Sequence, residues 1–454
     1  MSSDEPRPSH AGNLFTDLYE LTMLQAYDAQ GMDGIAVFEL FFRELPEGWN
    51  YLLAAGLEQA VHDTLSWRFD EADLAYLRGT GRLSEPLLDR LADWRFTGDI
   101  DAVAEGTPVF GHEPLLRVEA PVFDAQLLET LIINRVMFPS LAASKARRIV
   151  DAAAGRNVVD FGARRAHGPE AALAVARSSY LAGFSATSLV EAGRRYGIAV
   201  TGTMAHSYVL AHEDEAAAFR GFVRSFPDTV LLVDTYNTLS GVDRVIDLAH
   251  DLGEDFKVTG VRLDSGDLLA LSGEARRRLD EAGLRHVRLL ASSGLDEWAI
   301  AELVDQGAPI DGFGVGTRLA VSDDAPQVDM AYKLVAYDGV PRMKLSSDKA
   351  NRPGPKQVYR VSRGGAMVHD ILAGRDEPRP VEGEPLLRPV VRGGEMLPDA
   401  LPELAAIRNH CDASCAALPP RLRALHAADV PYEVSPTHSL NALTDRLTGQ
   451  PTPR

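Results

Sequence analysis

The chain has 454 residues, of which 45% are hydrophobic and 24% charged, with two cysteines and a formal net charge of −19. That length exceeds one ordinary core and suits two domains, and the composition is that of a folded globular protein rather than a fibre. The negative charge argues against nonspecific nucleic-acid binding. Cys411 and Cys415 cannot build a disulfide framework. Their spacing beside His410 offers half a metal site with no second pair to complete it, and suits one face of a helix. No apolar stretch resembles a signal peptide or approaches a membrane span, so the expected location is the cytoplasm.

Residues 1–13 are polar, carry two prolines and are expected to be disordered. Residues 14–124 read as an α+β domain. A helix is predicted over 16–30, with Thr16 as N-cap and Leu18, Leu21 and Leu24 near a helical period. A strand follows at 35–43, then helices at 51–65, 71–77 and 86–92. The stretch 108–123 has the Gly/Pro punctuation and alternation of antiparallel strands.

The pattern changes after Asp124, and residues 125–345 read as a second domain. Helices are predicted at 126–138 and 140–154, the latter carrying Lys145, Arg147 and Arg148. Apolar runs then recur at 158–161, 186–189, 198–204, 230–234, 258–263, 287–291, 312–315 and 332–336. Helical segments lie between most of them, at 169–181, 190–196, 214–226, 239–252, 268–282 and 296–306. Such alternation implies a parallel sheet. Seven or eight βα units over roughly 200 residues fit an irregular TIM-like α/β barrel better than an open sheet. Residues 346–454 form an extension: a strand at 356–361, a Pro-, Glu- and Arg-rich surface stretch at 376–389, helices at 401–418 and 422–428, and a disordered end from 448. This tail is expected to return to the N-terminal domain.

In a barrel, chemistry sits in the loops after the strands. Those loops hold Gly162-Ala163-Arg164-Arg165-Ala166-His167-Gly168, Thr187-Ser188, His206, Asp234-Thr235-Tyr236-Asn237, Arg262-Leu263-Asp264-Ser265-Gly266-Asp267, Ser292-Ser293-Gly294 and Gly314-Val315-Gly316-Thr317. Glycines and small hydroxyls let backbone N–H groups approach a phosphate. Arginines suit carboxylate and phosphate. Asp264 and Asp267 suit Mg2+ or ribose hydroxyls. Each residue also has a bland reading, as surface charge, tight turn, core histidine or structural ion pair. Their joint arrival at successive strand ends is what the bland readings do not explain.

The stretches TDLYELTM (16–23), FGARRAHG (161–168), GTMAHS (202–207), VDTYNT (233–238), VRLDSGDL (261–268) and GFGVGT (312–317), in this order, resemble the nicotinate phosphoribosyltransferases, type II phosphoribosyltransferases. The similarity runs from about Asn13 to about Tyr359. It implies an α/β N-terminal domain beside an irregular barrel, and a homodimer whose sites draw on both subunits. The implied reaction joins nicotinate and phosphoribosyl pyrophosphate into nicotinate mononucleotide and pyrophosphate in NAD salvage, coupled to ATP hydrolysis through a phosphohistidine that matches His206. Mg2+ is the implied cofactor, on phosphoribosyl pyrophosphate and ATP. Phe161 and Arg164 match the groups that bracket the pyridine ring, with Arg165 beside them. Tyr19 matches an aromatic that stacks on the ring from the neighbouring subunit. Arg262 and Asp264 match the ribose and pyrophosphate contacts, and Ser292, Gly294, Gly314, Gly316 and Thr317 match the 5′-phosphate cradle. Ser188, with Thr187 as fallback, stands where the related nicotinamide enzymes carry an acid. A carboxylate there would repel that of nicotinate. The alternatives are the nicotinamide enzyme, the shorter quinolinate phosphoribosyltransferase, and an inactive relative that binds pyridine nucleotides.

Overall fold

A computed structural model describes residues 13–345 and 351–449. The expectations of disorder over 1–13 and from 448 fall mostly on residues 1–12 and 450–454, outside the described residues; Thr448, within the expected disordered end, instead closes the helix His438–Thr448. The chain divides into two compact units, one formed by Met1–Ser144 with Ala325–Arg454 and the other by Lys145–Asp324.

The first unit is built on a seven-stranded antiparallel sheet. Its strands run in the order Val340–Pro341, Met330–Tyr337, Ile35–Phe42, Leu116–Pro121, Asp99–Val103, Leu387–Arg392 and Glu395–Met396. Ile35–Phe42 is buried along almost its whole length because it is covered on both faces and paired on both edges. Four of the seven strands come from beyond residue 324, two of them from the C-terminal extension, which thus returns to the N-terminal sheet as expected, and two from 330–341. Two expectations change here. The run at 332–336 is an antiparallel strand against Ile35–Phe42 rather than a barrel strand. The 376–389 stretch is partly sheet, since Leu387–Arg392 pairs with Asp99–Val103. The join is sealed by a buried ion pair, Lys356 Nζ to Glu39 Oε2 at 2.7 Å, while the Lys356 carbonyl accepts from Arg117 at 2.6 Å.

Other differences are local. The two helices predicted at 126–138 and 140–154 are one, Glu129–Ala152, running through Pro139. Pro139 supplies no N–H to the Arg135 carbonyl. Gly56, at φ +94, packs so closely on that carbonyl that a Cβ would lie 1.9 Å from its oxygen. Only a Cα–H can approach it there. The helix predicted at 51–65 begins at Leu57, after a two-residue strand Leu52–Leu53. Residues 422–428 hold only the end of a short 3-10 turn, Pro420–Arg423. Cys411 and Cys415 are buried on one face of helix Leu404–Ala416 with sulfurs 4.0 Å apart.

The second unit is a parallel sheet in the order Ala186–Thr187, Asn157–Asp160, Gly312–Val315, Arg288–Ala291, Gly260–Leu263, Val230–Leu232. First and last strands in sequence are neighbours, as a barrel requires. The predicted strand at 198–204 is reduced to a single parallel bridge, Val200 to Thr187. Thr187 N donates to Ala199 O and Thr201 N to Thr187 O. Val200 is 49% exposed. The strand order is therefore cyclic, with an open seam between residue 200 and the Val230–Leu232 strand. Four intervening helices start on Asp or Asn caps whose side chains accept the N3 amide: Asp214, Asn237, Asp267 and Asp296. Asp267 Oδ1 is thus engaged as a cap. No helix among the described residues is long and apolar enough to cross a membrane.

Candidate active site

Strand Gly260–Leu263 buries Val261 and Leu263 in the hydrophobic core. The pleat then turns Arg262 to the other face. Its Nη2 donates to Met204 O at 2.9 Å, its Nη1 lies 3.8 Å from Asp264 Oδ1, and its Cζ lies 5.9 Å from the Phe161 ring centre. Burial pushes the guanidinium pKa down, Asp264 and Asp234 push it up, and nearby Arg164 pushes it down again. An arginine remains charged through such shifts. The Met204 contact holds the strand's arginine against the segment that carries His206.

Asp264 follows the strand and is held from two sides. Ser292, at the end of Arg288–Ala291, donates its hydroxyl to Asp264 Oδ1. Asp234, just beyond Val230–Leu232, accepts the Asp264 amide at 3.0 Å and the Ser265 hydroxyl through Oδ2. Asp234 Oδ1 is buried without a hydrogen-bond partner among the described residues. His206 opens the short helix His206–Leu210. Its Nδ1 is 3.1 Å from Thr235 Oγ1 and its Nε2 is 3.7 Å from Asp264 Oδ2. Its side chain keeps 40% of its exposure. An imidazole oriented by a hydroxyl and a carboxylate, and still open to solvent, is arranged to take up a group from outside.

Across the sheet, Asn157–Asp160 ends on a carboxylate. Asp160 is 1% exposed and accepts from Gly162 N and Thr187 Oγ1, each at 2.7 Å. Burial raises its pKa, against the pull of those two donors. The Thr187 hydroxyl also accepts from Leu189 N at 3.1 Å. It is buried and engaged, whereas the neighbouring Ser188 is half-buried with its amide on Asp160 O at 2.8 Å. Phe161 anchors its amide on Val315 O at 2.7 Å. Its ring lies flat enough on Gly314 that a Cβ there would sit 2.5 Å from Cε2. Gly316 is similarly crowded by the Phe161 carbonyl, 3.0 Å from where a Cβ would be.

Arg262, Asp264, Ser292 and Phe161, at the C-terminal ends of parallel strands, and His206, at the start of a short helix, therefore gather in one place, with Ser292 hydrogen-bonded to Asp264 and the other pairs 3.7 to 5.9 Å apart. Arg164 and Arg165 stand exposed on the turn Ala163–Arg165, with Arg164 close enough to act on Arg262. Gly294 follows Ser293 in a loop where both have positive φ, +62 and +89, and a Cβ on Gly294 would meet open space. Gly316 and Thr317 begin the one-turn helix Thr317–Ala320. Tyr19 lies in the other unit, 46% exposed on helix Leu18–Ala29. Burial, followed by Glu129, Glu20 and Asp17, pushes its phenol up. Sequence reasoning places Asp234 and Thr235 in a strand-end loop without giving either a role, and gives Asp160 none. An acid closing the apolar run Val158-Val159 was the available signal for Asp160.

Residues 14–137 match the nicotinate phosphoribosyltransferase N-terminal domain, and 156–345 match the nicotinate phosphoribosyltransferase family. A Mycobacterium tuberculosis nicotinate phosphoribosyltransferase is 53% identical over 441 residues, covering 97% of this chain and 93% of its own. The Bacillus subtilis enzyme of that name is 44% identical over 357 residues, 77% and 73% of the two chains. The crystal structure of human nicotinic acid phosphoribosyltransferase superposes with a TM-score of 0.86 at 30% identity, covering 96% of this chain and 100% of that one. That of a Pyrococcus furiosus nicotinate-nucleotide pyrophosphorylase gives 0.73 at 26%, over 92% and 97%. With matches of this length and a cluster of this form, the chain belongs to the nicotinate phosphoribosyltransferase family.

Proposed function

We propose that this protein transfers phosphoribosyl from phosphoribosyl pyrophosphate to nicotinate, giving nicotinate mononucleotide and pyrophosphate in NAD salvage. The observation that carries this reading is the set Arg262, Asp264 and Ser292 at parallel strand ends with His206 beside them, in a chain 53% identical to a named nicotinate phosphoribosyltransferase. The ring nitrogen of nicotinate attacks the ribose C1 as the C1–oxygen bond to pyrophosphate breaks, and the bonding pair leaves on that oxygen. Charge is positive on the ribose and negative on the leaving group at that moment. Arg262 is placed to compensate the second and Asp264 the first.

We further infer that His206 accepts the γ-phosphoryl group of ATP, releasing ADP, and that water later frees phosphate from the phosphohistidine. Its exposure and its two orienting neighbours support this. The added charge beside Arg262 would bias the loops towards the productive complex. Mg2+ fits the donor set: Asp264 and Asp234 offer carboxylate oxygens, one of them buried and without a hydrogen bond. Among the described residues no group of three metal-ligating side chains forms, so the ion would be held jointly with substrate phosphates. There it would stabilise the leaving pyrophosphate. A homodimer is supported by Phe15, Leu18 and Tyr19, large side chains exposed at the start of one helix. The cytoplasm, where phosphorylated substrates are retained, is the place this chemistry requires.

The test is pyrophosphate release with Mg2+, phosphoribosyl pyrophosphate and either nicotinate or nicotinamide, each with and without ATP. Release with nicotinate that ATP stimulates is expected. Release with nicotinamide instead, or with neither base, would overturn the reading. In the His206→Ala variant, ATP hydrolysis should vanish while some ATP-independent transfer persists. Hydrolysis at the parent rate would remove His206 from the role.

A further inference from the structure

Phe161 and Ser188, the groups assigned to the ring and the carboxylate of the base, sit on turns that follow different strands. Neither turn is long, and each is joined to Asp160. Its Oδ1 accepts the Gly162 amide, fixing the turn that bears Phe161 and Arg164. Its Oδ2 accepts the Thr187 hydroxyl, and its main-chain oxygen accepts the Ser188 amide. The Thr187 hydroxyl in turn receives the Leu189 amide, so its proton is committed to Asp160. The carboxylate is 1% exposed, and no cation pairs with it within 4 Å among the described residues. A buried carboxylate without a counter-ion is costly, and nothing in the local packing calls for one, since an amide or hydroxyl would bridge two strands more cheaply. What a carboxylate alone supplies is two acceptors at a fixed spacing, without a donor that would compete for either.

We propose that Asp160 is a positioning residue that sets the separation of the two walls of the base pocket, and so governs affinity for the pyridine base without touching it. This rests on the reading of Phe161 and Ser188 given above. Asp160→Asn keeps size and one acceptor but turns an NH2 towards one of the two donors. The wall on that side is released. The Michaelis constant for nicotinate should rise about tenfold, the order of one charge-assisted hydrogen bond. That for phosphoribosyl pyrophosphate should stay within about twofold and kcat should fall less than the nicotinate constant rises.

Steady-state kinetics in both substrates on the full-length enzyme, with Tm measured alongside, test this. A loss of kcat alone, or equal rises in both Michaelis constants, would show a merely structural carboxylate and overturn the proposal. Should Asp160→Asn fail to fold, Thr187→Val, which leaves Oδ1 and the Gly162 amide in place while cutting the Oδ2 link and the Leu189 amide's bond to the same hydroxyl, carries the test. It should raise the nicotinate constant in the same selective way, and unchanged constants would overturn the proposal. Parent protein without nicotinate turnover would sink the function itself, and this proposal with it. An active parent beside variants indistinguishable from it would sink the proposal alone.

Discussion

Replacing Gly314 by alanine adds one methyl group at the most crowded point of the site. The new Cβ would lie 2.5 Å from Cε2 and 2.6 Å from Cδ2 of Phe161, and 3.4 Å from Ser292 Cβ. Ordinary carbon contact begins near 3.5 Å, so the ring must retreat by about 1 Å. The strand cannot yield instead, because it is paired with Asn157–Asp160 on one edge and Arg288–Ala291 on the other. Overpacking of this kind costs about 1–3 kcal/mol, or a Tm lower by roughly 2–10 °C. The functional loss should exceed the structural one. A 1 Å misplacement at a reacting pair can cost about a hundredfold, so kcat/KM for nicotinate should fall by between tenfold and a hundredfold. Gly273→Ala is the control. Gly273 sits in the middle of helix Leu268–Glu281 and a Cβ there meets nothing within 4 Å. The same methyl group should then raise stability by up to about 1 kcal/mol and leave turnover alone. If Gly314→Ala kept the parent kcat/KM, Phe161 would not be held against the strand as part of the site.

Ser188→Asp should depress use of nicotinate relative to nicotinamide, since it sets a carboxylate beside that of the substrate; an unchanged ratio of kcat/KM for the two bases would refute the assignment. Asp101 is the pH probe of the sheet. Burial pushes its carboxyl up, but Arg117 and Arg392 outweigh that and hold it below the ordinary range. A depressed carboxyl contributes stability above its unfolded pKa of about 3.9 and loses it as the pH falls through the folded value. Asp101→Asn should therefore lower Tm at pH 7, and the gap from the parent should narrow only below about pH 4. A gap that stays constant on acidification would mean that the Asp101 charge does not help hold the strand Leu387–Arg392 in the sheet.

Much of the barrel unit was legible from local pattern. Helices Pro169–Leu181 and Val190–Tyr196 fall where the sequence places them, with Pro169 in the first turn of one and Gly197 in the left-handed region ending the other, because such signals lie within a few residues of the elements they bound. The linked residues Arg262, Asp264 and Ser292 were legible for a related reason: a parallel strand that runs into a small or charged residue delivers it to the same end of the sheet whatever its neighbours are, whereas His206 reaches the site at the start of a short helix, with only a single bridge at Val200 before it. Pairing was not legible. Met330–Tyr337 has the apolar content of a barrel strand, and only its contact with Ile35–Phe42, far away in sequence, places it in the other unit. The run at 198–204 has strand composition, yet only Val200 finds a bridge partner. Thr187 and Ser188 offer equal hydroxyls on paper. The approach of Asp160 from the adjacent strand takes up the first and leaves the second half-exposed. Sequence by itself thus determined which groups arrive at the barrel mouth, since that depends on periodicity along one segment. Tertiary structure alone decided which of them are spent on each other and which remain for a ligand, since hydrogen bonds between strands depend on register, and register is set by the packing of the whole sheet.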